Sequence, residues 1–331
     1  MSRLQLSFAF AKNPRTEALF SGRVQPEGID LIPSAVGMSE LAWRQFGFKE
    51  FQVSELSISS LLIARSKGDD TWIGFPVFSS RQFFHTGVLV REDSGITEPS
   101  ELAGKRVGVP EYQQTAALWA RGILQHEYHL DPRDVHWFME RPPEKSHGGV
   151  TGFVPPEGVQ LEYMPRGTDQ GEMLANGTLD ASLHYITSRN LVDRSTRQFG
   201  PGSGVRQMFP DRKAEATRYF SKTGIIPMNH TAVVRRDIVE EHPWVVLNLY
   251  SAFLRSRELA KAQSRQQLAG QVDTRDLKHP NAIAFAEDPF PYGIQANRDA
   301  LEAAFAYSYE QGLSARPMKF EDVFYRGSLE L

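Results

Sequence analysis

The chain has 331 residues, of which 40% are apolar, 11% aromatic and 23% charged, a balance that belongs to folded proteins of about two domains and excludes disordered, collagen-like and membrane-embedded classes. Lys plus Arg number 37 against 40 Asp plus Glu, a net charge of −3, so no basic excess is present to neutralise a phosphate backbone and nucleic acid is not an expected partner. Cysteine is absent, which removes disulfides, thiolate metal sites, iron–sulfur clusters and cysteine nucleophiles together.

Residues 4–10 alternate apolar with polar, as a half-buried strand does, and meet charges at Lys12, Arg15 and Glu17. The uninterrupted apolar region of a signal peptide is missing, and no window reaches the ~18 apolar residues that span a bilayer. A cytoplasmic protein with no membrane partner is the expectation. Residues 28–33 repeat the two-residue period after a Pro26/Gly28 turn, 38–46 read as helix, and 51–57 read as strand running into a helix at 59–65. Residues 71–78 and 84–91 complete a set of short strands alternating with helices, the pattern of an α/β sheet with crossover helices. Ser100 can cap a short helix that Gly104 ends, 106–109 is a brief buried strand, and a long helix follows from about 114 to 128. Strand resumes at 135–138, and 140–157, rich in Pro, Gly and charge, reads as a surface excursion. Strand, helix and strand return at 159–164, 168–176 and 179–183, then a loop at 199–204 and a strand at 225–234. Beyond 236 the content is helical, with helices expected at 244–263 and 297–311 and a short terminal strand and helix near 320–324.

Residues 108–115 join a buried strand to the long helix, where free backbone N–H groups and the positive end of the helix dipole suit a carboxylate. The plain alternative, Gln114 or Thr115 as a helix cap, is equally open. Residues 51–61 form a matching junction, with Ser57, Ser59 and Ser60 as caps or ligand donors. In the run Ser79-Ser-Arg-Gln-Phe-Phe-His85, Arg81 offers bidentate carboxylate recognition and His85 offers proton transfer near neutral pH. Lone histidines of this kind are more often structural, and the same holds for His230, which precedes an apolar strand. His184 directly follows the apolar run 179–183, at a strand's carboxyl end where open α/β sheets place ligands. His126 and His129 share a helix face without zincin spacing, and the glycines at 200, 202 and 204 do not follow a strand. Neither a nucleophile elbow nor a phosphate loop occurs.

Several stretches, in order along nearly the whole chain, carry a resemblance: Phe51-Gln-Val-Ser-Glu-Leu-Ser-Ile-Ser-Ser60, Pro76-Val-Phe-Ser-Ser-Arg-Gln-Phe-Phe-His85, Leu102-Ala-Gly-Lys-Arg-Val-Gly-Val-Pro-Glu-Tyr-Gln-Gln-Thr-Ala116, Thr223-Gly-Ile-Ile-Pro-Met-Asn-His-Thr231 and Pro291-Tyr-Gly-Ile-Gln-Ala-Asn-Arg298. On these residues the chain resembles the 4,5-dihydroxyphthalate decarboxylase family. The resemblance implies a two-lobed α/β protein of the type II periplasmic-binding-protein-like fold, each lobe a mixed sheet flanked by helices, with a ligand cleft between. Lobe one would hold 1–90 plus 225–331 and lobe two 91–224, with crossings near 88–91 and 224–234. One wall would carry Ser57, Arg81 and His85, the other Tyr112 to Thr115 and His184, with His230 at the hinge and Ser59 and Arg189 in the same substrate-binding set.

The implied reaction converts 4,5-dihydroxyphthalate to protocatechuate and carbon dioxide without redox chemistry, cofactor or metal. His85 and His230 share the proton-transfer roles, and Arg81 and Arg15 hold the carboxylates of a small aromatic dicarboxylate, helped by the helix start at Gln114 and Thr115. The chain departs from the family at Lys-Asn-Pro-Arg15, where a tyrosine and an aspartate are usual before the arginine, and at 181–189 on the second-lobe wall. The rival reading is a non-catalytic binder or sensor of a small aromatic acid or a thiamine-precursor-like ligand, the commoner use of this fold. The missing signal peptide favours the enzyme, and the oligomeric state, a homo-oligomer included, is left open.

Overall fold

The computed structural model describes residues 3–273 and 279–331. The described residues form eleven strands. In chain order they are β1 (Leu4–Phe10), β2 (Ile29–Ala35), β3 (Val53–Ser57), β4 (Trp72–Phe75), β5 (Leu89–Arg91), β6 (Arg106–Val109), β7 (His136–Met139), β8 (Gln160–Tyr163), β9 (Ala181–Ser182), β10 (Val205–Gln207) and β11 (His230–Arg235). They assemble into two sheets, one ordered β2-β1-β3-β11-β4 and the other β10-β5-β9-β6-β7-β8. In the first, β1 runs parallel to β2 and β3, while β11 returns antiparallel between β3 and β4. In the second, β9, β6, β7 and β8 are parallel and β5 is antiparallel to both of its neighbours. Both sheets are therefore mixed and helix-covered, the expected fold class.

Local sequence explains the placement. Every residue of β3 is buried, as a central strand covered on both faces requires. The helix Ile58–Ser66 starts with no intervening loop, because Ser57 Oγ accepts the Ser60 N–H (3.4 Å) as its cap. The helix Thr115–Tyr128 is buried from Thr115 to Leu124, so it lies between layers rather than on the surface. One core runs from Leu61 and Phe78 through Trp119 and Trp137 to Leu301, and a second lies on the far face of the first sheet, with Phe8, Phe10, Phe75 and Phe253.

Four expectations are corrected. Residues 84–91 are not one strand: Phe84–Gly87 is a 3-10 turn, closed by the Thr86 hydroxyl on the Phe83 carbonyl (2.8 Å), and β5 starts only at Leu89. Residues 225–229 precede β11 rather than belonging to it. The helix expected at 244–263 is two, Val245–Leu259 and Lys261–Gln271, broken at Ala260. The supposed surface excursion at 140–157 buries Glu140, Arg141, Ser146 and His147 and includes the short helix His147–Val150; its polar residues face one another inside the protein. Among the described residues, no helix is long and apolar enough to cross a membrane.

The helices Thr115–Tyr128 and Arg298–Glu310 meet where Gly122 leaves room for the ring of Tyr307. A Cβ at Gly122 would lie 2.2 Å from that ring. Alanine favours a helix over glycine by ~1 kcal/mol, but the rigid ring cannot move without parting the helices, an overpacking cost of ~1–3 kcal/mol. Gly122→Ala is expected to lower the urea midpoint, and in a Tyr307→Ala background the same substitution is expected to lose its penalty and become neutral or stabilising.

Candidate active site

A cleft of about 400 Å³ opens between the sheets, within the range of small-ligand sites. The carboxyl ends of parallel strands supply much of its lining: Ser57 closes β3, Gln114 and Thr115 follow β6, Arg141 follows β7 and His184 follows β9. This is where parallel sheets place ligands. His230 opens β11 and stands opposite Ser57 in the register.

The centre of the first wall is a carboxylate–imidazole pair. Glu55, in the middle of β3, is 1% exposed. Its Oε1 accepts the Ala11 N–H (2.6 Å), and its Oε2 accepts the Ser79 hydroxyl (2.6 Å) and faces His230 Nδ1 (3.3 Å). Burial alone would push the Glu55 carboxyl up, but His230, Ser79 and Ala11 outweigh it and hold it below the usual carboxylate range. An ionised carboxylate only accepts, so the proton of neutral His230 sits on Nδ1 and the Nε2 lone pair is left for the cleft that His230 lines.

The opposite wall presents backbone and guanidinium donors. In the helix Thr115–Tyr128 the first backbone bond is Leu118 N–H to Gln114 C=O (2.9 Å), so the amides of residues 115 to 117 lie ahead of the ladder. The helix Met38–Phe48 also starts at the cleft, with Gly37, Met38 and Ser39 in its lining and no side chain capping it. Arg141 is buried, with Nη1 on Glu111 (2.8 Å) and Nε on Asp193 (2.8 Å); burial would lower its pKa, but the two carboxylates more than offset this and raise it. Glu111 binds the Ser146 hydroxyl (2.5 Å), the Gly148 N–H (2.9 Å) and His147 Nε2 (2.8 Å). Burial would raise its pKa, but His147 and Arg141 bring it down to about 2. His147 reaches across to Ser60 Oγ through Nδ1 (2.7 Å), so both of its ring nitrogens are engaged.

Of the residues expected at the site, Ser57, Arg81, Gln114, Thr115, His184 and His230 do line the cleft. Thr115 Oγ1 bonds Ser57 Oγ (2.9 Å) and accepts the Ser59 N–H (3.1 Å), so Ser59 braces the wall from behind. Arg81 commits Nη1 to the Ile226 carbonyl (3.0 Å) and Nη2 to the Pro291 carbonyl (3.2 Å) and the Asn297 side chain. Burial lowers its pKa to about 9.

The other expected residues lie elsewhere. His85 is fully buried, bonded through Nε2 to Glu215 (3.0 Å) and ringed by Phe83, Phe209 and Tyr219. With its turn in place of a strand, it points into the core and not the cleft. Arg15 is buried on the ring of Phe290 and grips the Ser79 carbonyl (2.7 and 3.1 Å) and Gln267 (3.0 Å); it supports the site without lining it. Tyr112 is a core residue beneath the Arg121 guanidinium, and Arg189 is exposed outside the cleft lining. Glu55, Glu111, Arg141 and His147 were not expected; a carboxylate inside an otherwise buried strand was the available sign for Glu55. Among the described residues, no group of three or more His, Asp or Glu side chains could hold a metal ion.

The fold is that of the periplasmic binding proteins. The aliphatic sulphonate binding protein SsuA of Escherichia coli matches with a TM-score of 0.54 over 99% of both chains at 13% identity. A Candida albicans protein described as having the generic periplasmic binding protein fold matches with 0.52 over 99% of this chain and 98% of its own, at 10% identity. No protein-family model matches. In sequence, the 4,5-dihydroxyphthalate decarboxylase of Comamonas testosteroni is 32% identical over 333 residues, 100% of this chain and 99% of its own. The protein of the same name from Pseudomonas putida is 36% identical over 183 residues, 55% of this chain and 71% of its own. The chain belongs to the 4,5-dihydroxyphthalate decarboxylase family.

His184 makes the cleft acid-sensitive. It holds a left-handed backbone (φ 61°), and burial, reinforced by Arg141, pushes its pKa down from 6.5 to about 4. A lowered folded value means that the unfolded chain binds the proton more tightly, so the stabilisation is complete above pH 6.5 and is lost as pH falls towards 4. Between pH 7 and pH 5 the protein is expected to lose about 2 kcal/mol from this group. His184→Gln should flatten that part of the curve, and urea unfolding at several pH values measures both.

Proposed function

We propose that this protein is a carboxy-lyase that removes carbon dioxide non-oxidatively from 4,5-dihydroxyphthalate to give protocatechuate. The observation that carries the reading is the Glu55–His230 pair, a buried, oriented base in a cleft that otherwise offers donors to anions. Membership of the decarboxylase family supports it. The reading takes residues 1–90 with 225–331 as one lobe and 91–224 as the other, with the dicarboxylate between them.

His230 Nε2 draws the proton from the ring hydroxyl para to the departing carboxylate, and Glu55 stabilises the imidazolium that forms. Electron density passes through the ring to the carbon bearing that carboxylate. That carbon takes a proton, its bond to the carboxylate breaks, and neutral carbon dioxide leaves as the hydroxyl is restored. One proton is consumed per turnover, and the ring is neither oxidised nor reduced. The amides that begin the helix Thr115–Tyr128, with Arg141 close by, hold carboxylate oxygens. His184, neutral at pH 7, serves as a hydrogen-bonding and ring-packing neighbour and not as the acid.

The helix starts at the cleft also suit a second reading, a protein that binds an aromatic dianion without reacting. Incubation with 4,5-dihydroxyphthalate, followed by absorbance, separates the two: protocatechuate appears under the first, and thermal stabilisation without product under the second. His230→Gln is expected to lose at least ~100-fold in kcat. His85→Gln, if folded, keeps most of its turnover, and activity survives dialysis against a chelator. Full activity in His230→Gln would overturn the assignment.

A further inference from the structure

Four side-chain atoms on cleft-lining residues are buried without a hydrogen-bond partner among the described residues: Arg81 Nε, Gln114 Nε2, Arg141 Nη2 and Gln271 Oε1. Native proteins rarely leave such atoms unpaired, because each forfeits its hydration, and a ligand held in the cleft would pair them. The first three are N–H donors, although Arg141 Nη2 also lies in ion-pair contact with Asp193 (2.7 Å). Gln271 supplies a carbonyl acceptor. Carboxylates only accept, so the donors suit them; ring hydroxyls donate, so they need acceptors. His230 Nε2 provides one acceptor and Gln271 the other.

The setting of Gln271 supports this. It ends the helix Lys261–Gln271, one turn beyond Gln267, and both line the cleft. Gln267 Oε1 accepts from Arg15 Nη1 (3.0 Å), Arg15 holds the Ser79 carbonyl, and the Ser79 hydroxyl donates to Glu55. The helix is thereby tied through one hydrogen-bonded chain to Glu55, the carboxylate that orients His230.

We infer that Gln271 is a specificity-determining residue that accepts a hydrogen bond from the ring hydroxyl His230 does not engage, and so selects dihydroxylated over monohydroxylated phthalates. The inference rests on the decarboxylase reading and deepens it. Losing the acceptor leaves a substrate hydroxyl without its partner, a penalty of about tenfold.

The test compares wild type with Gln271→Met, which keeps length and volume but lacks the acceptor, on 4,5-dihydroxyphthalate and 4-hydroxyphthalate. The variant is expected to lose about tenfold in kcat/KM on the dihydroxy compound, mainly through KM, and to be unchanged on the monohydroxy one. Equal losses on both, or no loss on either, overturn the inference. Gln271→Asn, which keeps the amide at shorter reach, is expected to fall between the two and serves if the Met variant does not fold. If wild type forms product from neither compound, the decarboxylase reading fails, and thermal shifts then decide the inference: it stands if the dihydroxy compound stabilises wild type more and Gln271→Met erases the difference, and it falls otherwise.

Discussion

An ionised carboxylate in the middle of a buried strand costs several kcal/mol unless donors saturate it, and Glu55 is placed that way in β3. Its donors come from separate parts of the chain: the amide just after β1, a hydroxyl in the segment after β4, and the imidazole that opens β11. Satisfying one carboxylate therefore fixes where three segments meet, and they form the cleft wall. The same requirement sets the chemistry, because the nitrogen that serves Glu55 is Nδ1 and the one left over is Nε2. Removing Glu55 would cost the wall its organising charge and the histidine its preferred tautomer together.

The second wall repeats the device with another outcome. Glu111, after β6, is also fully buried and saturated, by His147, Arg141, Ser146 and the Gly148 amide. Yet His147 spends its other nitrogen on Ser60 across the cleft. Two carboxylate–histidine pairs face one space, and the number of free ring nitrogens separates them. With one free, His230 can exchange a proton with a ligand; with none free, His147 is a brace between walls.

The features that periodicity and position encode were legible in the sequence. Alternation gave β1, β2 and β3, and strand-to-helix junctions gave Ser57, Gln114 and Thr115, since a chain leaving a parallel strand for a helix puts its caps at the cleft edge. His184, at the end of an apolar run, is placed at the cleft by position, while His230 is placed there by the resemblance; both line the cleft. The failures share a cause, which is that burial by polar pairing leaves no hydrophobic trace. Residues 140–157 looked solvated because they are polar, yet Arg141 and His147 are buried against Glu111 and Asp193. The resemblance set His85 on the cleft wall, but its segment is a turn and its ring is buried on Glu215; it set Arg15 on a substrate carboxylate, but that charge is spent on the Ser79 carbonyl and Gln267. Long-range partners of this kind, such as Glu111 and Asp193, far apart in sequence, have no local signature.

The chain carries a net charge of −3, yet the proposed substrate is a dianion, so attraction has to be local. The first-turn amides of two helices provide it with partial charges that leave the net charge unchanged. Buried Arg141 adds a donor, but its charge is more than balanced by Glu111 and Asp193. Such a cradle holds carboxylates by directed hydrogen bonds more than by bulk potential, and its grip therefore follows the number of oxygen acceptors presented. Decarboxylation removes one carboxylate and leaves the hydroxyls as they were. On the proposed reading the product satisfies fewer donors than the substrate and so leaves the cleft more readily, while the direction of turnover is set by the escape of carbon dioxide and not by the cradle.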